Sequence, residues 1–113
     1  MIYHILTRIE WEEAEKESEY WPPSTDEEDY IHCYTKEQLL NADFSKFSSN
    51  QELTIIKINS AKLESLVVFE DITESRIMYP HIYGYLNLDA VAAIQHLYLN
   101  ELNDGLKPFN KVI

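Results

Sequence analysis

Eight residues, Tyr79-Pro80-His81-Ile82-Tyr83-Gly84-Tyr85-Leu86, restrict the backbone more tightly than any other stretch of this chain. Pro80 fixes its own φ and pushes Tyr79 toward an extended conformation. Gly84, one of only two glycines, supplies backbone angles that a side chain would forbid. If the segment between them is extended, His81 and Tyr83 point the same way. An imidazole beside a phenol reads either as an aromatic-rich strand entering a core or as one wall of a binding site. The rest of the chain has to separate the two.

Local signals place further elements around this block. Ile2 to Leu6 is a β-branched and aromatic run, a strand by composition. Thr7 stands three residues before Glu10, the capping-box spacing, and predicts a helix from Arg8 to about Ser18 with Ile9, Trp11 and Ala14 as a partial apolar face. Pro22-Pro23 forces an extended loop. Tyr30 to Tyr34 predicts a second strand, with Tyr30, His32 and Tyr34 on one face and Ile31 and Cys33 on the other. Thr35 and Gln38 repeat the capping-box spacing, so a second helix should carry Leu39, Leu40 and Phe44 inward until Ser48-Ser49-Asn50 breaks it. Leu53 to Ile58 and Leu66 to Glu70 read as strands, with one helical turn from Ser60 to Glu64 between them. A turn at Leu88-Asp89-Ala90 should precede a strand reaching about Leu99. Asp104-Gly105 signals a turn, and Pro108 to Ile113 a loosely tied tail. Strands outnumber helices without alternating with them, which predicts one α+β domain over residues 1–113 with two or three short helices.

The charge narrows the function classes. Twenty acidic residues stand against nine basic ones, a formal net charge of −11. That balance argues against nucleic-acid or anionic-membrane binding, where Lys and Arg neutralise phosphate. Half of the acidic residues fall between Glu10 and Asp29, a solvated face or a docking surface for a basic protein partner. Arg8 and Arg76 are the only arginines, so Arg8 is a candidate fork for any bound phosphate. A lone cysteine rules out an internal disulfide, and Met1 runs directly into Ile-Tyr-His-Ile-Leu, too short for a signal peptide. A cytoplasmic protein without a membrane span is expected.

Three of the four histidines lie in strand-like segments beside aromatics: His4 after Tyr3, His32 between Tyr30 and Tyr34, His81 between Tyr79 and Tyr83. Converging on one cleft, they would offer flat walls and fixed hydrogen-bonding edges, suited to a nucleotide base or a nicotinamide ring. Separately, each would be a hydrogen-bonded strand histidine, the role expected of His96. The spacing of His4, His32, His81 and Cys33 matches no compact zinc signature, so no metal is expected. Strand alternation turns Cys33 away from His32, so it reads as a core residue rather than a nucleophile. With Gly84 and Gly105 the only glycines, no glycine-rich phosphate loop can form. Glu70, closing an apolar strand, is either a solvated terminus or a carboxylate that bonds a sugar hydroxyl or steadies a developing cation.

Taken together, Ile2-Tyr3-His4-Ile5 with Trp11, Tyr30-Ile31-His32-Cys33 with Gln38, Glu70, and Pro80-His81-Ile82-Tyr83-Gly84 with Leu88-Asp89-Ala90-Val91 resemble the bacterial family called domain of unknown function 952. The resemblance spans Ile2 to about Leu97. It implies a fold similar to ADP-ribosyltransferases, a split and mostly antiparallel sheet around a cleft for NAD, within the branch that includes RNA 2′-phosphotransferases. It also implies catalytic roles for His4, which would hold the ribose of NAD, for His32 at the nicotinamide end, and for Glu70. Arg8, Tyr34, His81, Tyr83 and Gly84 would complete the nucleotide site. The reaction implied passes through an oxocarbenium-like sugar, which needs orientation and charge stabilisation. Three positions depart from the family pattern: Tyr34 where a small hydroxyl residue is usual, Asp29 where glycine is common, and Tyr85 in place of proline. A non-catalytic module for a small ligand or protein on the same fold is the alternative.

Overall fold

The computed structural model describes residues 1–21, 30–42, 44, 45, 47, 48 and 50–99. The first strand, β1 (Ile2–Thr7), passes directly into helix α1 (Arg8–Glu17). Thr7 is the hinge: its hydroxyl accepts from the Glu10 amide while the Glu10 carboxylate accepts from the Thr7 amide, the predicted capping box. Ser18 ends the helix in the left-handed conformation, φ 61°. Strands β2 (Glu19–Tyr20) and β3 (Ile31–His32) follow, then α2 (Lys36–Leu40), β4 (Glu52–Ile58), a 3₁₀ turn at Ser60–Lys62, β5 (Leu66–Glu70) and β6 (Tyr79–Tyr83). After β7 (Leu86–Asn87), a 3₁₀ turn at Leu88–Ala90 leads into β8 (Val91–Tyr98).

The strands form two three-stranded antiparallel sheets, β1-β4-β8 and β3-β6-β5, and a two-stranded pair, β2-β7. The larger sheets meet where Tyr3 and Tyr34 exchange amide–carbonyl hydrogen bonds of 2.8 Å. β1 is apolar on both faces because both are covered. Ile2 and Leu6 pack with Trp11, Ala14, Tyr20, Ile31, Cys33, Ile56 and Ile82. Tyr3 and Ile5 pack on the opposite side with Leu39, Leu53, Ile55 and Leu97. The α+β class, the β4, β5 and β8 strands and both short turns agree with the sequence reading. No described helix is long and apolar enough to cross a membrane.

Several expectations are corrected. Ile9 points outward, 73% exposed, because α1 packs through Trp11 and Ala14 alone. α2 ends at Asn41, whose amide bonds back to Gln38 and Leu39, well before Ser48. It buries Leu39 and leaves Leu40 exposed, while Phe44 packs against the core from beyond the helix. The second strand is shorter than predicted, and Tyr34 joins β1 instead of continuing along β6. The β2-β7 pair was not anticipated. Pro22-Pro23, Asp29, Asp104-Gly105 and the segment 108–113 lie outside the described residues, as do four acids of the acidic run.

Candidate functional site

Strand register assembles the site. His32 on β3 stands directly opposite His81 on β6, and Glu70 on β5 lies diagonally across from His81 on the same face. Ile31 and Cys33 point the other way and are fully buried, so the alternation read from sequence holds. The His32 Nδ1 and His81 Nε2 atoms are 3.0 Å apart, and His81 Nδ1 is 3.0 Å from Glu70 Oε1. Tyr83 donates its hydroxyl to the same carboxylate oxygen. His81 and Tyr83 therefore do face one way, as Pro80 and an extended segment require.

Aromatic rings wall this network. Tyr30 stacks on His81 with centroids 4.1 Å apart and planes 20° from parallel. Tyr34 meets His32 edge-on at 4.9 Å, and Tyr79 lies 4.9 Å from His32 on another side. The cleft so formed measures about 280 Å³ and is completed by Asn41, Ala42, Ile72 and Thr73. That is room for one ring and a sugar rather than a whole dinucleotide, by comparison with ligand sites of roughly 300–1,000 Å³. Gln38 fixes one rim: its Oε1 closes the α2 capping box, and its Nε2 donates to the Met78 carbonyl at 2.7 Å. Asp71 fixes another, accepting from the Ser75 and Arg76 amides. Neither rim residue was singled out as functional from sequence; both are ordinary loop and capping residues whose long-range partners a linear pattern does not reveal.

The electrostatics favour an ionised Glu70. Its carboxyl is held below the ordinary carboxylate range, first by the Tyr83 hydroxyl and then by His81. Cys33, with no exposure, has its thiol pushed far up by burial. It is inert, as its place in the alternation implied. Thr54 bonds His96 at 2.7 Å on the other sheet, the structural role expected of that histidine. Among the described residues no group of three or more His, Cys, Asp or Glu side chains is placed to hold a metal ion.

The candidate residues do not all converge. His32, His81, Glu70, Tyr34 and Tyr83 come together, but His4 does not line their cleft. It is 8% exposed, its Nδ1 is 2.7 Å from the main-chain carbonyl of His32, and its Nε2 is 3.4 Å from the Tyr20 hydroxyl. β1 turns the even-numbered residues Ile2, His4 and Leu6 to one face, and the seam between the sheets brings His32's backbone there. Arg8 is engaged elsewhere, 2.7 Å from Glu52 and 3.2 Å from Glu12. Gly84 adopts φ 132°, and a Cβ there would lie 2.6 Å from Ser65 Oγ, so its role is to let the turn after β6 close. A larger hollow of about 840 Å³ opens beside β8, but Glu15, Glu19, Glu64 and Asp89 line it with no Lys or Arg. It would repel a phosphate.

Fold and site define a small, mostly antiparallel α+β domain with an aromatic-walled His–His–Glu cleft between strands. The chain belongs to the family described as "Protein of unknown function (DUF952)", which matches residues 5–94. No curated protein matches it significantly. Among solved structures it is similar to Protein CC0527 from Caulobacter crescentus, at 22% identity and a TM-score of 0.73 over 85% of this chain and 84% of that one. A double mutant of the same protein is similar at 21% identity with the same coverage and TM-score. At this identity the likeness shows a shared fold.

Proposed function

We propose that the cleft bounded by Tyr30, Tyr34 and Tyr79 binds the nicotinamide–ribose end of NAD or a related nucleotide, and that the protein transfers or cleaves ADP-ribose on an ADP-ribosyltransferase-like scaffold. The observation that carries this reading is the His32–His81–Glu70 chain at the wall of a ring-sized aromatic cleft. The rings supply faces on which a base or nicotinamide stacks. Glu70, kept ionised, stabilises positive charge that develops on the sugar as the glycosidic bond lengthens. In this reading His4 holds the strand that carries His32, rather than the sugar, and the pyrophosphate remains outside the cleft. Calorimetric titration with NAD, together with nicotinamide release from labelled NAD, tests it. Wild type should bind and release; Glu70→Gln and His32→Ala should release far less. Equal background release by all three proteins would sink the enzyme reading.

A binding-only module is the second reading, favoured by Tyr34, whose ring stands in the cleft edge-on to His32 and Tyr79. NAD binding without release by wild type, with release appearing in Tyr34→Ser, would establish it.

A further inference from the structure

With Glu70 ionised and both imidazoles neutral, the geometry of the three linked side chains admits a single arrangement of their protons. Glu70 is ionised and can only accept, so the contact of 3.0 Å requires a proton on His81 Nδ1. In neutral His81 the opposite nitrogen, Nε2, then carries the lone pair. Across the next 3.0 Å contact His32 must donate, so its proton resides on Nδ1 and its own Nε2 is basic. Free imidazole side chains favour the opposite tautomer, with the proton on Nε2. The chain therefore holds His32 in the less common form, and His32 is one of the cleft's lining residues.

We propose that His32 is the general base of this cleft, its Nε2 taking the proton from an acceptor hydroxyl, with His81 as a positioning residue. Glu70, besides facing the developing charge on the sugar, fixes the proton of His81, so that the pair sets the tautomer of His32 and receives the charge. The inference rests on reading this cleft as the site, and it names the second substrate as a hydroxyl: water or an alcohol. The acceptor O–H bond breaks as an N–H bond forms at His32 Nε2. The proton on His32 Nδ1 crosses to His81 Nε2, leaving His32 neutral and an imidazolium at His81 against the Glu70 carboxylate. The electron pair left on the acceptor oxygen forms the new bond to the anomeric carbon as nicotinamide departs with the electrons of the old one. Three features fit that role. His81 is 2% exposed, so its charged form needs a counter-ion, and Glu70 is in contact. Tyr30 stacked on His81 fixes the plane of the ring and offers the imidazolium a π face. Tyr83 bonded to Glu70 Oε1 keeps the carboxylate aimed at His81.

Long-range ¹H–¹⁵N correlation spectra of the histidine rings in the full-length, ligand-free protein at neutral pH test the proposal without any substrate. Both His32 and His81 should show protonated Nδ1 and bare Nε2. A wild-type spectrum with the His32 proton on Nε2 overturns the proposal. In His81→Phe, His32 should revert to the Nε2-protonated form; retention of the Nδ1 form would show that His81 does not set it and would overturn the relay. Glu70→Gln keeps an acceptor for His81 but removes the charge. Acylation of His32 by diethyl pyrocarbonate, mapped by mass spectrometry, should then slow several-fold, and an unchanged rate counts against the relay. If NAD is cleaved, His32→Gln should lower kcat by about 10²-fold with little change in KM, the usual size of a general-base contribution. Failure to bind NAD defeats the proposed ligand and leaves the tautomers to decide the base; the wrong tautomer defeats the base and leaves NAD binding intact.

Discussion

Glu70 gathers two donors, Tyr83 and His81, on a single oxygen at the edge of a cleft. Because its carboxyl is lowered relative to the unfolded chain, these contacts add stability above the ordinary carboxylate pKa. That contribution is lost as pH falls through the lowered folded value. Thermal unfolding of wild type and Glu70→Gln should therefore differ at neutral pH and converge in acid; a constant difference from pH 7 to 3 would contradict the assignment. Gly84 makes a second residue-level case. A methyl group at φ 132° meets Ser65 Oγ, whose hydroxyl is already spent on the Tyr85 carbonyl at 2.7 Å. Gly84→Ala should cost about 1–3 kcal/mol, by strain at a backbone angle that disfavours side chains. Urea unfolding gives the number, and a neutral result would show that the turn relaxes freely.

At the scale of elements, what could be read from sequence was local chemistry. Both capping boxes, Thr7 with Glu10 and Thr35 with Gln38, were legible because their partners are three residues apart. So was the alternation that separates His32 and Tyr34 from Ile31 and Cys33. The β2-β7 pair was not, since two-residue strands carry no period and Tyr20 pairs with Leu86, far along the chain. Nor was the register that sets His32 against His81, which depends on long-range pairing. Ile9 was misplaced because a partial apolar stripe does not say which of its members faces the sheet. Thr7→Ala, which removes the α1 cap, should destabilise by about 1 kcal/mol. Thr35→Ala should cost a similar amount and also loosen Gln38 from the Met78 carbonyl, so it should weaken ligand binding while Thr7→Ala leaves it unchanged. Paired denaturation and calorimetry on the two variants checks both halves.

For the whole molecule, the question is what makes two half-sheets one structure. The Tyr3–Tyr34 exchange joins them through the backbone, and His4 adds a side-chain bond to the His32 carbonyl across the same seam. His32 is thus gripped at both ends, its carbonyl by His4 and its ring by His81. His4 in turn neighbours Tyr20, whose hydroxyl donates to Glu10 on α1, so the first strand, the first helix and the β2-β7 pair all converge on the seam. The family resemblance assigned His4 to the ribose, and that role and the seam role predict different outcomes for one substitution. His4→Phe keeps a ring in the core but removes the bond that His4 makes to the His32 carbonyl, a loss of about 1 kcal/mol. If His4 is a seam residue, the variant should unfold at lower urea, and the His32 ring signals should broaden or shift even without ligand. If it is a sugar-binding residue alone, stability and the His32 spectrum stay as in wild type, and only NAD affinity falls. The two measurements on one protein separate an architectural histidine from a ligand-binding one.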